Sequence, residues 1–269
     1  PRVGASFEVT EGFNLLANYS ETFRAPTPHE TSSAGPLNIH YWYQPNPDLK
    51  SETAKEAEAG FSWYGNGLLG DDDSFRLKAM YFNGRIEDMI ELVIDHDGPL
   101  SPANSRYVRY ENVGQVRRNG VEVEASYDRE HWGAFVTYEQ LDQFDRQTRE
   151  KTPYAFADRA RLGMAWRPFA DDFTVSFDVT HWFAPDQNPE TLVSGGRLYY
   201  YVNKPYSQSN LQLRWRPFQS YVPFLDGSTQ ILLGINNVFD QKRLPASGVT
   251  TSTRVGDGRN IYISLNKTF

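Results

Sequence analysis

The chain has 269 residues, 39% of them hydrophobic, with a net charge of -7, no cysteine and a mean hydropathy of -0.61. No stretch approaches the run of about 18 apolar residues that a membrane helix needs, so a helical membrane protein is excluded. The acidic balance, without a Lys/Arg stripe carrying interleaved aromatics, sets nucleic acid aside as a partner.

A transmembrane barrel passes both filters. Each of its strands needs only about 9–11 residues, and only every second one faces lipid. Aromatic residues make up 14% of the chain, with 16 Tyr and 17 Phe, as expected where aromatic girdles line two lipid interfaces. The chain opens at Pro1 without a charged segment followed by an apolar one, so it is expected to carry no export signal of its own, having been processed or being a fragment.

Period-two alternation predicts strands at about 2–10, 13–23, 52–63, 74–94, 106–128, 133–145, 157–168, 173–186, 206–218, 228–239 and 258–269. The clearest run sets Phe173, Val175, Phe177 and Val179 against Thr174, Ser176, Asp178 and Thr180. The pattern repeats in Val121, Val123 and Tyr127 against Glu122, Glu124 and Ser126, and in Leu211, Leu213 and Trp215 against Gln212, Arg214 and Arg216. Alternation alone leaves open whether the apolar face meets lipid or a second sheet.

Connection lengths favour lipid. Short turns are expected at Glu11-Gly12, Arg129–Trp132 and Ala170–Asp172, and long loops at about 24–51, 95–105, 146–156, 187–205 and 240–257. Alternation of short and long links is the habit of outer-membrane barrels, with the long loops outside the cell. Eleven strands leave two free edges, which hydrocarbon does not tolerate. A plugged barrel of about 22 strands therefore requires as many strands again, and a plug, ahead of Pro1.

Three segments carry a resemblance. Phe23-Arg24-Ala25-Pro26, followed by Asn46-Pro47-Asp48-Leu49, resembles the FRAP and NPNL boxes of TonB-dependent haem receptors, with Asp48 where the second box usually has Asn. Gly234-Ile235-Asn236-Asn237-Val238-Phe239-Asp240 is similar to a penultimate-strand motif of the superfamily. Ile261, Ile263, Leu265 and Phe269, on one parity, resemble the terminal signal read by the barrel-assembly machinery. In the residues themselves, Pro26 ends a strand and Asn46-Pro47 restarts the chain before the next, anchoring both ends of a long loop.

The resemblance implies an all-β fold, a transmembrane antiparallel β-barrel of which residues 1–269 are about the last 11 strands. It also implies uptake across the bacterial outer membrane, coupled to the TonB complex through the plug. Outer-membrane lipid and lipopolysaccharide would surround the barrel. Haem receptors of this kind place a haem-ligating His between the two boxes, which makes His40 the first candidate for iron and His29 the second. Tyr41, Trp42 and Tyr43 beside His40 could pack on the porphyrin face. Haemoglobin or a haemophore would then be the protein donor, and no catalytic cofactor is expected. A ferric-siderophore receptor of the same superfamily, and a passive porin-like or structural barrel, are the competing readings.

Elsewhere His96 lies between Asp95 and Asp97, His131 beside Trp132, and His181 near a strand end; each reads as structural or solvated. Asp71-Asp72-Asp73 reads as a solvated turn, and Tyr199-Tyr200-Tyr201 as an outer-loop cluster that either binds a ligand or packs the loop. No GxSxG, HExxH, phosphate-cradling Gly-rich loop or cysteine nucleophile is present, so no enzyme is expected.

Overall fold

The computed structural model describes residues 1–146, 149, 158–169, 172–183, 191–194, 197–200, 205–217, 228–241 and 258–268, with backbone only at 191–194 and 197–200. Its strands are β1 (Arg2–Thr10), β2 (Phe13–Arg24), β3 (Gly35–Pro36), β4 (Tyr41–Tyr43), β5 (Glu52–Asn66), β6 (Asp73–Ile94), β7 (Arg106–Arg129) and β8 (Trp132–Asp145). They continue as β9 (Arg159–Trp166), β10 (Phe173–Trp182), β11 (Thr191–Ser194), β12 (Arg197–Tyr200), β13 (Tyr206–Trp215), β14 (Thr229–Asn236) and β15 (Asn260–Lys267). One short helix, α1 (Pro28–Ser32), lies between β2 and β3.

Eleven of these strands form one antiparallel meander in the order β1-β2-β5-β6-β7-β8-β9-β10-β13-β14-β15. All eleven expected strands are present, differing from the sequence reading by a few residues at their ends. Among the described residues β1 and β15 are its free edges. The cluster at Tyr199–Tyr201, most of the loops 146–156 and 240–257, and Phe269 lie outside the residues whose side chains are described.

Cross-strand register decides what alternation left open. One face carries Leu15, Phe61, Ala79, Val123 and Tyr138 side by side across β2, β5, β6, β7 and β8. The same face continues through Val136, Leu162 and Val179, then Phe177, Leu211, Ile235 and Ile261. Among the described residues no second layer covers it: Val3, Phe7, Leu162, Met164, Trp166 and Ile263 are all more than half exposed. A continuous apolar face left open over eleven strands is the outer surface of a membrane barrel, not half of a sandwich.

The opposite face is polar and cross-linked. Asn18 donates to Glu58 at 3.1 Å, Arg118 pairs with Glu56 at 3.2 Å, and Asp178 takes Arg161 at 3.4 Å and Asn210 at 3.1 Å. Gln212 donates to the Tyr262 hydroxyl and Arg214 to Thr174. Such ladders suit a wet lumen, where polar and charged side chains pair across the strands.

Gly12 closes the β1–β2 hairpin at φ 74°, and a Cβ there would fall 2.0 Å from the Tyr64 carbonyl oxygen, so no other residue fits. Short links 11–12, 67–72 and 130–131 share one end of the meander, as expected; the turn expected at Ala170–Asp172 has Ala170 and Asp171 outside the described residues. The link 216–228 departs from this pattern, being thirteen residues long on the short-turn side.

The Asp71–Asp73 turn is a correction. Asp73 is only 3% exposed, and its carboxylate accepts from the backbone N–H groups of Leu68, Leu69 and Gly70 and from the Tyr127 hydroxyl, all within 2.8 Å. Burial opposes ionisation, but the Tyr127 hydroxyl and these N–H groups outweigh it and lower the Asp73 pKa to about 2. A carboxylate depressed on folding stabilises the fold above its ordinary titration range, and that contribution is lost as pH falls from about 4 to about 2. In thermal melts from pH 5 to pH 2, Asp73→Asn is therefore expected to be less stable than wild type by a margin that shrinks on acidification; a margin constant with pH would contradict this.

Candidate functional site

The 25–51 connection, expected as a loop, has its own structure. Thr27 caps α1: its hydroxyl accepts from the Glu30 N–H, and its own N–H donates to the Glu30 carboxylate at 2.7 Å, a reciprocal capping box. A five-residue helix is too short to stand alone, so its position depends on what holds it.

Arg24 does the holding. Its guanidinium makes two bonds to Glu52, at 2.7 and 2.8 Å, and reaches both oxygens of Glu30 at 2.9 Å. It thereby joins the end of β2, the start of β5 and α1. Glu52 also accepts from the Ile90 N–H at 2.6 Å, which ties in β6. At this rim, beyond the lipid-facing band, burial works against ionisation of both carboxylates, yet each stays below the ordinary range. Glu30 is held there by the Thr27 N–H and Arg24, Glu52 by Arg24 and the Ile90 N–H. The two carboxylates raise the Arg24 pKa in turn, against a smaller opposing effect of burial.

The second box is tied to β7. Asn46 donates from its side chain to the Tyr110 carbonyl at 2.8 Å, and its N–H reaches the Thr31 carbonyl at 3.1 Å. The Asn46 side chain also accepts from the Asp48 N–H, an Asx turn that Pro47 suits. Asn112 brackets Lys50 from both sides, accepting from its N–H at 2.9 Å and donating to its carbonyl at 3.0 Å. Between the boxes, β3 and β4 form a small hairpin, and β4 adds in parallel to β7, pairing Tyr41 with Arg106, Trp42 with Tyr107 and Tyr43 with Val108. Val108 is 1% exposed beneath this strap.

The two histidines lie in different settings. His40 is exposed at the hairpin tip, with its N–H bonded to the Asn38 side chain at 2.8 Å and its carbonyl accepting from the Arg106 N–H at 2.8 Å. Its ring meets Tyr41 edge-on at 6.3 Å. His29, on α1, bonds Ser33 through Nδ1 at 2.7 Å and faces Tyr43 and Tyr110 edge-on at 5.6 and 5.7 Å. Tyr43 stacks on Tyr110 at 6.3 Å, and burial, reinforced by Tyr43, pushes the Tyr110 phenol upward. Tyr110 was not a candidate in the sequence: it reads as an ordinary strand residue until β7 is known to run under the strap. Trp42 and Tyr43 are half-buried in β4, so their positions are fixed by strand pairing. Phe23, Ala25 and Pro26 carry the chain from β2 to α1, and Leu49 leads it back toward β5.

The other histidines take ordinary partners: His131 meets the Arg167 carbonyl, and His181 meets Ser207 and the edge of Phe183. Among the described residues, no group of three or more His, Cys, Asp or Glu could hold a metal ion, and His96 joins no such group.

A family profile described as TonB dependent receptor-like, beta-barrel, matches residues 1–238. The chain belongs to the TonB-dependent receptor β-barrel family. This receptor barrel is 27% identical over 281 residues to heme/hemopexin utilization protein C of Haemophilus influenzae (strain 86-028NP), covering 100% of the chain and 37% of that relative. Among solved structures, copper transporter OprC matches with a TM-score of 0.73 at 16% identity, over 100% of the chain and 39% of its own. The Serratia marcescens hemophore receptor HasR, solved as a double mutant with its hemophore HasA and heme, matches with a TM-score of 0.72 at 18% identity and the same coverages. At those identities the structural likeness speaks for the fold alone. The receptor barrel spans under two-fifths of the length of the relatives it matches.

Proposed function

We propose that this receptor barrel takes up haem across the outer membrane of a Gram-negative bacterium, energised through TonB. The free edges of β1 and β15 then pair with further strands of a closed barrel around a plug, because unpaired backbone groups are costly in hydrocarbon. The polar face lines the lumen, and the strap over β7 meets the ligand. Haemoglobin or a haemophore is the donor that delivers haem to this outer side. The curated relative named for heme and hemopexin utilization supports the choice of cargo.

The observation that carries the reading is His40 itself: an imidazole on a tip whose backbone is bonded on both sides, beside Tyr41 and the Trp42–Tyr43 strand. A fixed backbone with an exposed ring can ligate iron without reorganising the strap. His29, with Nδ1 engaged by Ser33 and Nε2 left for a ligand, is the second candidate.

Titrating the native-length receptor with haem and following its absorption tests this. His40→Ala is expected to alter the spectrum and weaken binding by about tenfold or more, and His29→Ala to do so less. An unchanged spectrum and affinity in both variants defeats the axial-ligand proposal, and no haem spectrum in wild type defeats haem as cargo.

A further inference from the structure

We propose that the β5–β6 turn, residues 67–72, is a lipid anchor that seats Leu68 and Leu69 in the periplasmic leaflet of the bilayer. Asp73 fixes the side on which the turn lies. It alternates with Phe75, Leu77 and Ala79 along β6, so it belongs to the lipid-facing parity. Its carboxylate accepts from the N–H groups of Leu68, Leu69 and Gly70 at 2.8, 2.7 and 2.8 Å. The fourth donor, the Tyr127 hydroxyl at 2.7 Å, comes from the same face of β7. The turn is therefore folded outward over that face and away from the lumen. Gly67, at φ 75°, lets the chain bend as it leaves β5.

The strand ends next to the turn carry an aromatic belt on that face. Trp63 meets Phe75 edge-on at 4.6 Å and Tyr127 lies against Trp132 at 4.9 Å, as rings do at a lipid interface. Just past this belt, Leu68 is 48% and Leu69 74% exposed. A lone exposed leucine is ordinary. These two are adjacent, held by their own backbone N–H groups, and continuous with an apolar face that runs across eleven strands. Most of the charge in the turn is answered within it: Arg129 pairs with Asp72 at 2.8 Å, and Asp73 is enclosed by its four donors. Asp71 is exposed, where a carboxylate can stay in water. Apolar side chains at such a boundary gain by entering the headgroup and acyl region, and the continuity of the face makes the bilayer their occupant. The inference rests on the reading that the apolar face meets lipid.

The test introduces Leu68→Cys, Leu69→Cys, Glu11→Cys and Val123→Cys one at a time into the native-length receptor in phospholipid bilayers, each carrying the same polar fluorophore. Quenching by phospholipids with a nitroxide on the acyl chain is compared with quenching by aqueous iodide. The ratio of lipid to iodide quenching at 68 and 69 is expected to exceed that at 11, in the β1–β2 turn, by about threefold or more. Asp73→Ala, which removes the acceptor holding the turn, is expected to lower the ratio at 69 toward that at 11 and to leave the ratio at 123 unchanged. Ratios at 68 and 69 equal to that at 11 overturn the anchor, as does an unchanged ratio at 69 in Asp73→Ala. Protection from iodide without lipid quenching assigns the turn to a protein surface, a second copy or a periplasmic partner, and overturns it too. A label at 123 quenched by iodide and not by lipid would instead defeat the membrane reading beneath the proposal.

Discussion

Val123→Arg is expected to destabilise the protein in a bilayer by about 2–4 kcal/mol, the cost of a cation at the midplane of a barrel's lipid face. Val123 lies mid-band on the apolar face, with Ala79 on one side and Tyr138 on the other. Its cross-strand neighbours there are an alanine and a tyrosine, with no acid directly opposite, so the guanidinium must remain in hydrocarbon or distort the bilayer. Glu122, one residue away, points into the lumen between Met80 and Glu139, and Glu122→Gln is expected to change stability by only a few tenths of a kcal/mol. Unfolding from bilayers in urea measures both; equal effects at the two positions would show that the faces have been assigned wrongly.

Arg24→Ala is expected to free the strap while leaving the meander intact. The substitution removes the link joining β2, β5 and α1, and leaves Glu30 and Glu52, whose side chains are only 12% and 16% exposed, without their cation. A charge-assisted bidentate pair at a partly exposed rim contributes about 1–2 kcal/mol once solvent screening is allowed for. Hydrogen exchange in residues 27–50 is expected to accelerate by roughly tenfold or more, with β7 and β8 unchanged. Arg24→Lys restores the charge without the planar fork and is expected to recover only part of the protection. Unaltered exchange in Arg24→Ala would mean that the Asn46 and Asn112 contacts to β7 hold the strap by themselves.

The meander was readable from the chain because each long strand has one face in lipid and one in water, and that geometry writes a period of two into the residues. Phe173 to Thr180 shows it without any knowledge of a neighbour. The strap could not be read this way. A helix of five residues and strands of two and three residues have too few positions to establish a period, and what forms them is β7, more than sixty residues further on. The boxes marked the ends of the strap, yet their chemistry lay in pairings through space, Arg24 with Glu30 and Glu52, Asn46 with Tyr110.

Asp73 illustrates the same limit. Three consecutive aspartates look alike in sequence, and only the inward turn of 68–70 makes one of them a buried acceptor. Asn237 in the penultimate-strand motif behaves similarly. It is 3% exposed at φ 54°, with its N–H on Asn210 and its side chain exchanging bonds with the Gln241 backbone, so the motif builds the turn that leaves β14.

Which face of the sheet meets lipid can be read directly along β7. Single cysteines placed in turn at positions 121 to 125 of the native-length receptor can each carry a spin label, and residues 1–269 contribute no competing thiol. Power saturation in bilayers, with oxygen as the lipid-soluble relaxant and a nickel chelate as the aqueous one, reads the environment of each label. Labels at Val121, Val123 and Ala125 are predicted to favour oxygen, and labels at Glu122 and Glu124 the chelate. A flat profile, or the reverse alternation, would contradict a barrel whose apolar face meets lipid.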